Sequence, residues 1–325
     1  MKWSVLIALL AGLVAAVWIV WAVGFGAVWG AVAQAGFGGL ALLCLYASGM
    51  LLVASYAWAC LLPRERRPHQ RDFYIARLVR DSIGDLSPFS PIGGMVAGAR
   101  LMIVKGMNGA YAAASVAVDY TTEAMAQVVF LAFGLAVTMA ALSGNGATGP
   151  LLSNLIGALV LAIPAITAMV LLQKRGADFF ERMTARFFPR MKDGFSFRHA
   201  IHELYESPGR LAASAFWHLI GWLAAGGSTW LSFHLVGVEV SLLEALALEA
   251  LLSTLRSMAV FVPAAIGVQE GGYAALAGLF GLPPESGVAV SLLKRAREIV
   301  LGVPALLYWQ SIEGRAALRA AGDGP

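Results

Sequence analysis

Two long stretches of this chain are almost free of charge, and nothing else in the sequence constrains the fold as strongly. Residues 1–62 carry Lys2 as their one charged side chain, and residues 111–173 carry only Asp119 and Glu123. Soluble domains hold about 25% charged residues, whereas this chain of 325 residues holds 13%, with 59% apolar. The stretches are therefore expected to lie in a bilayer, and the fold class to be all-α, a polytopic integral membrane protein forming one membrane domain over 1–325. A helix needs about 20 apolar residues to cross the hydrocarbon core. Segments 4–23, 38–62, 112–142, 151–173, 211–236, 243–262 and 286–311 meet that template, which gives about seven spans. The first lacks the short core and small-residue cleavage pattern of a signal peptide and is expected to be retained.

The connections orient these spans. Segment 63–81 is basic, 174–210 holds eight Lys/Arg against five Asp/Glu, and 24–37 and 143–150 hold no charge. The positive-inside rule places the basic connections and the amino terminus in the cytoplasm, and the Ser143-Gly144-Asn145-Gly146 tip outside. Arg315 and Arg319 place the carboxyl terminus inside as well, so seven spans have the wrong parity. Either 268–282 also crosses, or part of that region only dips into the membrane. Connector 174–210 contains Phe179-Phe180 and Phe187-Phe188 among basic residues. This suits either an amphipathic cytoplasmic segment in the headgroup layer or a plain solvated link. The net charge of +4 reflects basic connectors facing anionic lipid, and no nucleic-acid-binding pattern accompanies it. Cys44 and Cys60 share one apolar segment, which supports neither a disulfide framework nor a cysteine metal site.

Two Pro/Gly-broken elements form a weak internal repeat. The first, at 86–95, contains Pro88, Gly93 and Gly94 and belongs to a first half at 75–173. The second, at 261–272, contains Pro263, Gly267, Glu270 and Gly271 and belongs to a second half at 211–311. Proline removes a backbone donor and glycine relaxes the chain. Each element is thus expected to be a re-entrant or half-helix break, either facing a wet cavity or buried in protein. Interrupted segments at matching places in two halves point to a transporter's binding site; ordinary kinked surface loops are the alternative.

Charge inside the spans adds to this. Ser115, Asp119, Thr122, Glu123 and Gln127 recur at helical spacing. Asp119 and Glu123 are one turn apart and repel, so one is protonated, or a cation lies between them, or both sit unbound at the cytoplasmic mouth. In 286–311, Ser291, Lys294, Arg297 and Glu298 share a face with Arg295 beside it. Four central charges cost about 12 kcal/mol and the ten aliphatic residues return about 5, so this face must line a cavity, pair with another segment or lie near an interface. Glu249 and Arg256 are two turns apart, roughly 10 Å along the axis, so Arg256 needs a partner from elsewhere. Glu270 is expected to accept from half-helix donors or to pair with Arg256 or Lys294. Buried structural salt bridges are the alternative for all of these groups. Walker A, HExxH, G-x-S-x-G and CxxC motifs are absent. His199-Ala200-Ile201-His202-Glu203 lacks the order of a zincin, and His218 and His234 read as packing residues. No cofactor and no metal site is expected.

These residues carry a resemblance. RDSIGDLSPFSPIGGMVAGARLMIVKGM with AAASVAVDYTTEAMAQVVF, then LLSTLRSMAVFVPAAIGVQEGGYAALAGLFGL with SLLKRAREIVLGVPALLYW, resemble the HpnL family of hopanoid-biosynthesis-associated membrane proteins. That family lies within the superfamily of the lysylphosphatidylglycerol synthase transmembrane (flippase) region, and the resemblance covers roughly 75–311. Pro263, Gly267, Glu270 and Gly271 match its second element, with Arg256, Lys294, Arg295, Arg297 and Glu298 at the flanking charged positions. Pro88, Gly93, Gly94 and Arg100 match the first element, where Met95 stands in place of the usual Glu and Ala97 in place of a basic residue. The resemblance implies a bacterial inner-membrane, multi-pass lipid translocase with a hopanoid or related lipid as cargo and hopanoid-biosynthesis enzymes as partners. Arg100, Arg256, Lys294, Arg295 and Arg297 would then bind the headgroup, with Asp119, Glu123, Glu270 and Glu298 as cavity carboxylates. Alternatives are an intramembrane headgroup-modifying enzyme using Asp119 and Glu123, or a non-transporting scaffold. The chain ends 14 residues after 311 without a soluble aminoacyl-transferase domain, so aminoacyl-lipid synthesis by this chain alone is not expected. The oligomeric state is not encoded in any of these features.

Overall fold

The computed structural model describes residues 25–86, 90–142, 197–259 and 262–322, with single positions between 153 and 175. The expected span 4–23 and most of 151–173 therefore lie outside the described residues, as does Pro88. Among the described residues the chain is helical, without strands. Helix α1 (Phe25–Cys60) bends at Gly36 (φ 73°), and α2 (Gln70–Leu86) follows a short 3-10 turn at Arg64–Arg66. Next come α3 (Ser90–Val104), α4 (Gly109–Leu142), α5 (Phe197–Tyr205), α6 (Pro208–Leu235), α7 (Leu242–Met258), α8 (Val268–Leu279) and α9 (Pro284–Gly322).

Two helical stretches, Trp29–Cys60 and Gly109–Ala141, are long and apolar enough to cross a membrane. At 1.5 Å per residue each reaches about 48 Å, more than the roughly 30 Å hydrocarbon core. Each presents a greasy outer face: Leu45, Leu52 and Tyr56 on α1, and Met125, Val129 and Phe133 on α4, are exposed at spacings that share one side of a helix. Such faces are stable in lipid and not in water.

Helices α2 and α7 each have 17 residues, and each is followed by a short helix (α3 or α8), a glycine turn and a long helix (α4 or α9). The two turns make the same bonds. Lys105, Gly106 and Met107 donate to the carbonyls of Leu101, Ile103 and Met102, and Phe280, Gly281 and Leu282 to those of Leu276, Gly278 and Ala277. Both glycines have positive φ, 96° and 75°, as a Schellman-type helix end requires. Packing is reciprocal: α1 lies on α6, α4 on α6 and α7, and α9 on α1 and α2. The core at the centre includes Leu43, Phe233, Leu248, Leu251, Val290 and Leu293.

Several boundaries differ from the sequence reading. The uncharged connection 24–37 is helical up to the Gly36 bend, because nothing in it prevents helix formation. The basic segment expected as a connector at 63–81 becomes α2 from Gln70, which buries Phe73, Ala76, Val79 and Ile83 on one face. Connector 174–210 already contains α5 and the first turn of α6. Of the expected first element 86–95, Leu86 ends α2 and residues from Ser90 onward are helical. Helix α3 begins at Ser90, so Pro91 occupies its first turn, where its missing donor costs nothing, and Gly93 and Gly94 are helical, with Gly94 against the backbone of Arg80. The second break holds a 3-10 turn at Pro263–Ala265 with Ala264 and Ala265 at positive φ. Gly267 (φ 81°) caps α8, and Gly271 lies inside that helix.

Candidate functional site

In the first half, α2 carries Arg77, Arg80 and Asp81 on the side that meets α4. Arg77 Nη1 and Arg80 Nη1 reach Asp119 Oδ2 at 3.3 and 2.6 Å. Arg77 Nη2 and Arg80 Nη2 reach the two oxygens of Glu123 at 2.5 and 2.9 Å. Both Nε atoms meet Asp81, at 2.7 and 3.3 Å, and His218 Nε2 of α6 lies 2.9 Å from Asp119 Oδ1. Arg80 also sits over the Tyr120 ring, 4.4 Å from its centroid. The repulsion between Asp119 and Glu123 is thus relieved by two cations between them, supplied by α2. Ligand atoms of Asp119, Glu123 and His218 lie within 4.8 Å of one another, a spacing a metal ion could bridge. The two guanidinium groups already take those carboxylate oxygens, so the geometry is that of an ion-pair centre.

The second half has its own centre. Lys294 Nζ of α9 donates to Glu249 Oε2 of α7 at 2.8 Å, to Thr229 Oγ1 of α6 at 2.6 Å and to Tyr273 Oη of α8 at 2.5 Å. Thr229 and Tyr273 in turn donate to Glu249 Oε2 at 2.5 and 2.7 Å. Four helices are tied together at one buried point, and all three ammonium donors have acceptors. Beside it, buried Arg295 reaches Glu298 at 3.1 Å and Glu270 at 3.2 Å. Glu270 also accepts from the Gly267 amide at 2.7 Å, closing the start of α8. The half-helix donor expected for Glu270 is present, but its cationic partner is Arg295 rather than Arg256 or Lys294.

Between the two centres lies one cavity of about 420 Å³, bordered by α1, α2, α4, α6, α7 and α9. Its lining includes the cations Arg77, Arg80, Arg256, Lys294 and Arg297 and the carboxylates Asp81, Asp85, Glu123, Glu249 and Glu298. Arg256, which needed a distant partner, finds it in Asp85 of the first half at 2.9 Å. Among the described residues, Arg297 forms an ion pair with Glu298 alone, at 3.4 Å. Of the charged residues singled out from sequence, Glu249, Arg256, Lys294, Arg297, Glu123 and Glu298 line this cavity. Asp119, Arg295 and Glu270 stand behind its wall as partners of lining or neighbouring groups. Arg100 does not join them: it is exposed and paired with Glu313 at 3.0 Å. Glu203, next to His202, meets Arg66 at 3.0 Å. Sequence reasoning missed Arg77, Arg80, Asp81, Asp85, His218, Thr229 and Tyr273. The first four recur at helical spacing in a segment whose apolar residues do the same.

Residues 5–305 match the family model described as the lysylphosphatidylglycerol synthase TM region. The chain belongs to this family. The match extends the likeness seen at 75–311 over nearly the whole chain and agrees with the all-α membrane architecture. No curated protein and no solved structure matches the chain.

Proposed function

We propose that this protein is a lipid translocase of a bacterial inner membrane, with its amino terminus in the cytoplasm, that takes a lipid headgroup into the cavity between its halves while the tails stay in hydrocarbon. One observation carries this reading: ten ionisable side chains line one cavity inside a membrane-embedded helical body. Intramembrane charges are costly and mark substrate pathways, and family membership supports a lipid as the cargo. Resemblance to HpnL-type proteins favours a hopanoid or related lipid and an association with hopanoid-biosynthesis enzymes.

The acid-base reading of Asp119 and Glu123 gains no support from the geometry. General acid-base catalysis needs a carboxylate free to exchange a proton with substrate, and every oxygen of this pair already has a cationic or imidazole partner. The test is reconstitution into vesicles containing a fluorescent lipid, with a membrane-impermeant quencher reporting its arrival in the outer leaflet. Lipid arrival faster than in protein-free vesicles, with the lipid chemically unchanged, is the expected result. Chemical conversion of the lipid would return the enzyme reading, and no acceleration would leave the scaffold.

A further inference from the structure

Five carboxylates line the cavity, and counting their bonds separates one from the rest. Each oxygen of Asp81, Glu123 and Glu298 accepts from a guanidinium group, and Glu249 accepts three bonds on Oε2. Asp85 accepts a single bond, on Oδ1, from Arg256 Nη2 at 2.9 Å. Its Oδ2 has no hydrogen bond among the described residues and is not closed off by protein. At 34% its side chain is also the most exposed of the five.

The place of this bond in the fold gives it leverage. Asp85 is the last residue but one of α2, and Arg256 the last but two of α7. Helix α2 packs on α1, α3, α9 and the 3-10 turn of the second break, and α7 on α4, α6 and α8. The bond therefore joins the tips of two half-helices that are held by different neighbours. The charged groups facing Asp85 are Asp81 on its own helix, Arg256 on α7, and Arg297 and Glu298 on α9. Helix α1 and the 3-10 turn face the cavity with apolar residues, and the one charge on α3, Arg100, is turned to Glu313. A proton entering the cavity thus displaces least at Asp85.

From this we infer that Asp85 is a proton-binding site and that its bond to Arg256 is a latch between the halves, closed while Asp85 is ionised and loosened when Oδ2 takes a proton from cavity water. Protonation leaves Oδ1 a neutral acceptor and removes the ionic part of the bond. The released guanidinium keeps a counter-charge, because Glu249 and Glu298 lie within its electrostatic reach. The centre of the first half cannot serve in this way: arginine keeps its proton, and both oxygens of Asp119 are occupied. The inference deepens the translocase reading and rests on it: the proton is the species whose uptake lets the tips of the half-helices part.

Infrared titration of the full chain in nanodiscs, from about pH 9 to about pH 4, reads the protonated carboxyl directly. A carboxylic-acid band that grows on acidification and is missing from Asp85→Asn is expected. Arg256→Gln removes the cation and should move the midpoint of that band up by about one to three pH units. A packing role for Asp85 produces no such shift, which keeps the test decisive where Asp85→Asn fails to fold. In vesicles with equal internal and external pH, lipid movement by the wild type should follow the band, falling about tenfold for each pH unit above its midpoint. Asp85→Asn, with the latch permanently loosened, should move lipid at a rate independent of pH. The same band in Asp85→Asn as in the wild type, an unmoved midpoint in Arg256→Gln, or identical pH profiles of lipid movement in wild type and Asp85→Asn overturns the inference. The expected infrared behaviour without lipid movement at any pH would leave the proton site standing and remove translocation. Lipid movement by the wild type that ignores pH would do the reverse.

Discussion

The two halves of this protein share a frame and invert its charge. Asp119 and Glu123 are the eleventh and fifteenth residues of α4, and Lys294 and Glu298 are the eleventh and fifteenth of α9. Arg77 and Glu249 are each the eighth residue of α2 and α7. The Arg77–Asp119 pair of the first half is therefore matched in the second by Glu249–Lys294, with donor and acceptor exchanged between helices. What the frame preserves is an ion pair between the first and last helix of each half. The halves differ in what surrounds that link. In the first, a second arginine and two more carboxylates close the network on itself. In the second, the central pair is closed by Thr229 and Tyr273, which leaves Arg256 and Arg297 available to the cavity.

This comparison predicts an order of effects. Asp119→Ala should be the most damaging single change, because it leaves two buried guanidinium groups facing each other with less counter-charge; a loss of about 3–5 kcal/mol should appear as a large fall in the detergent unfolding temperature. Glu249→Ala should cost somewhat less, about 2–4 kcal/mol, since one ammonium rather than two guanidinium groups loses its partner. The exchange Glu249→Lys with Lys294→Glu, measured in the same way, should be less destabilising than either single change, a coupling of about 1–3 kcal/mol. Equal damage from the double exchange would break the equivalence drawn between the halves. Gly106→Ala and Gly281→Ala should each cost about 1–2 kcal/mol through the left-handed backbone they share, and the two values should agree. Arg100→Ala should change stability by less than about 1 kcal/mol, as an exposed pair does, and should leave lipid movement intact.

The membrane character, the long apolar helices and the duplicated interruption were legible because each is written in local composition. Asp119 and Glu123 announced a missing cation, and Arg256 announced a missing anion, from helical spacing alone. Neither partner could be read locally: Asp85 lies 171 positions from Arg256, and Arg77 and Arg80 lie in a stretch whose charge density resembles a cytoplasmic loop. The arginines of 63–81 suggest a connector, whereas Phe73, Ala76, Val79 and Ile83, at spacings of three and four residues, mark a helix with one buried face. Gly93 and Gly94 were read as chain breakers, whereas Gly94 packs inside α3 against the Arg80 backbone. A glycine pair signals freedom or close approach alike, and only the neighbouring helix decides which.

The central claim is that the cavity between the halves holds a lipid headgroup on Arg256 and Arg297. It is tested most directly by native mass spectrometry of the protein released from its own membrane with bound lipids retained, comparing the wild type with the Arg256→Ala/Arg297→Ala double variant. The account predicts one class of lipid on the wild type, absent from the double variant. The same unselective mixture of lipids on both proteins would contradict it and return the two arginines to helix packing.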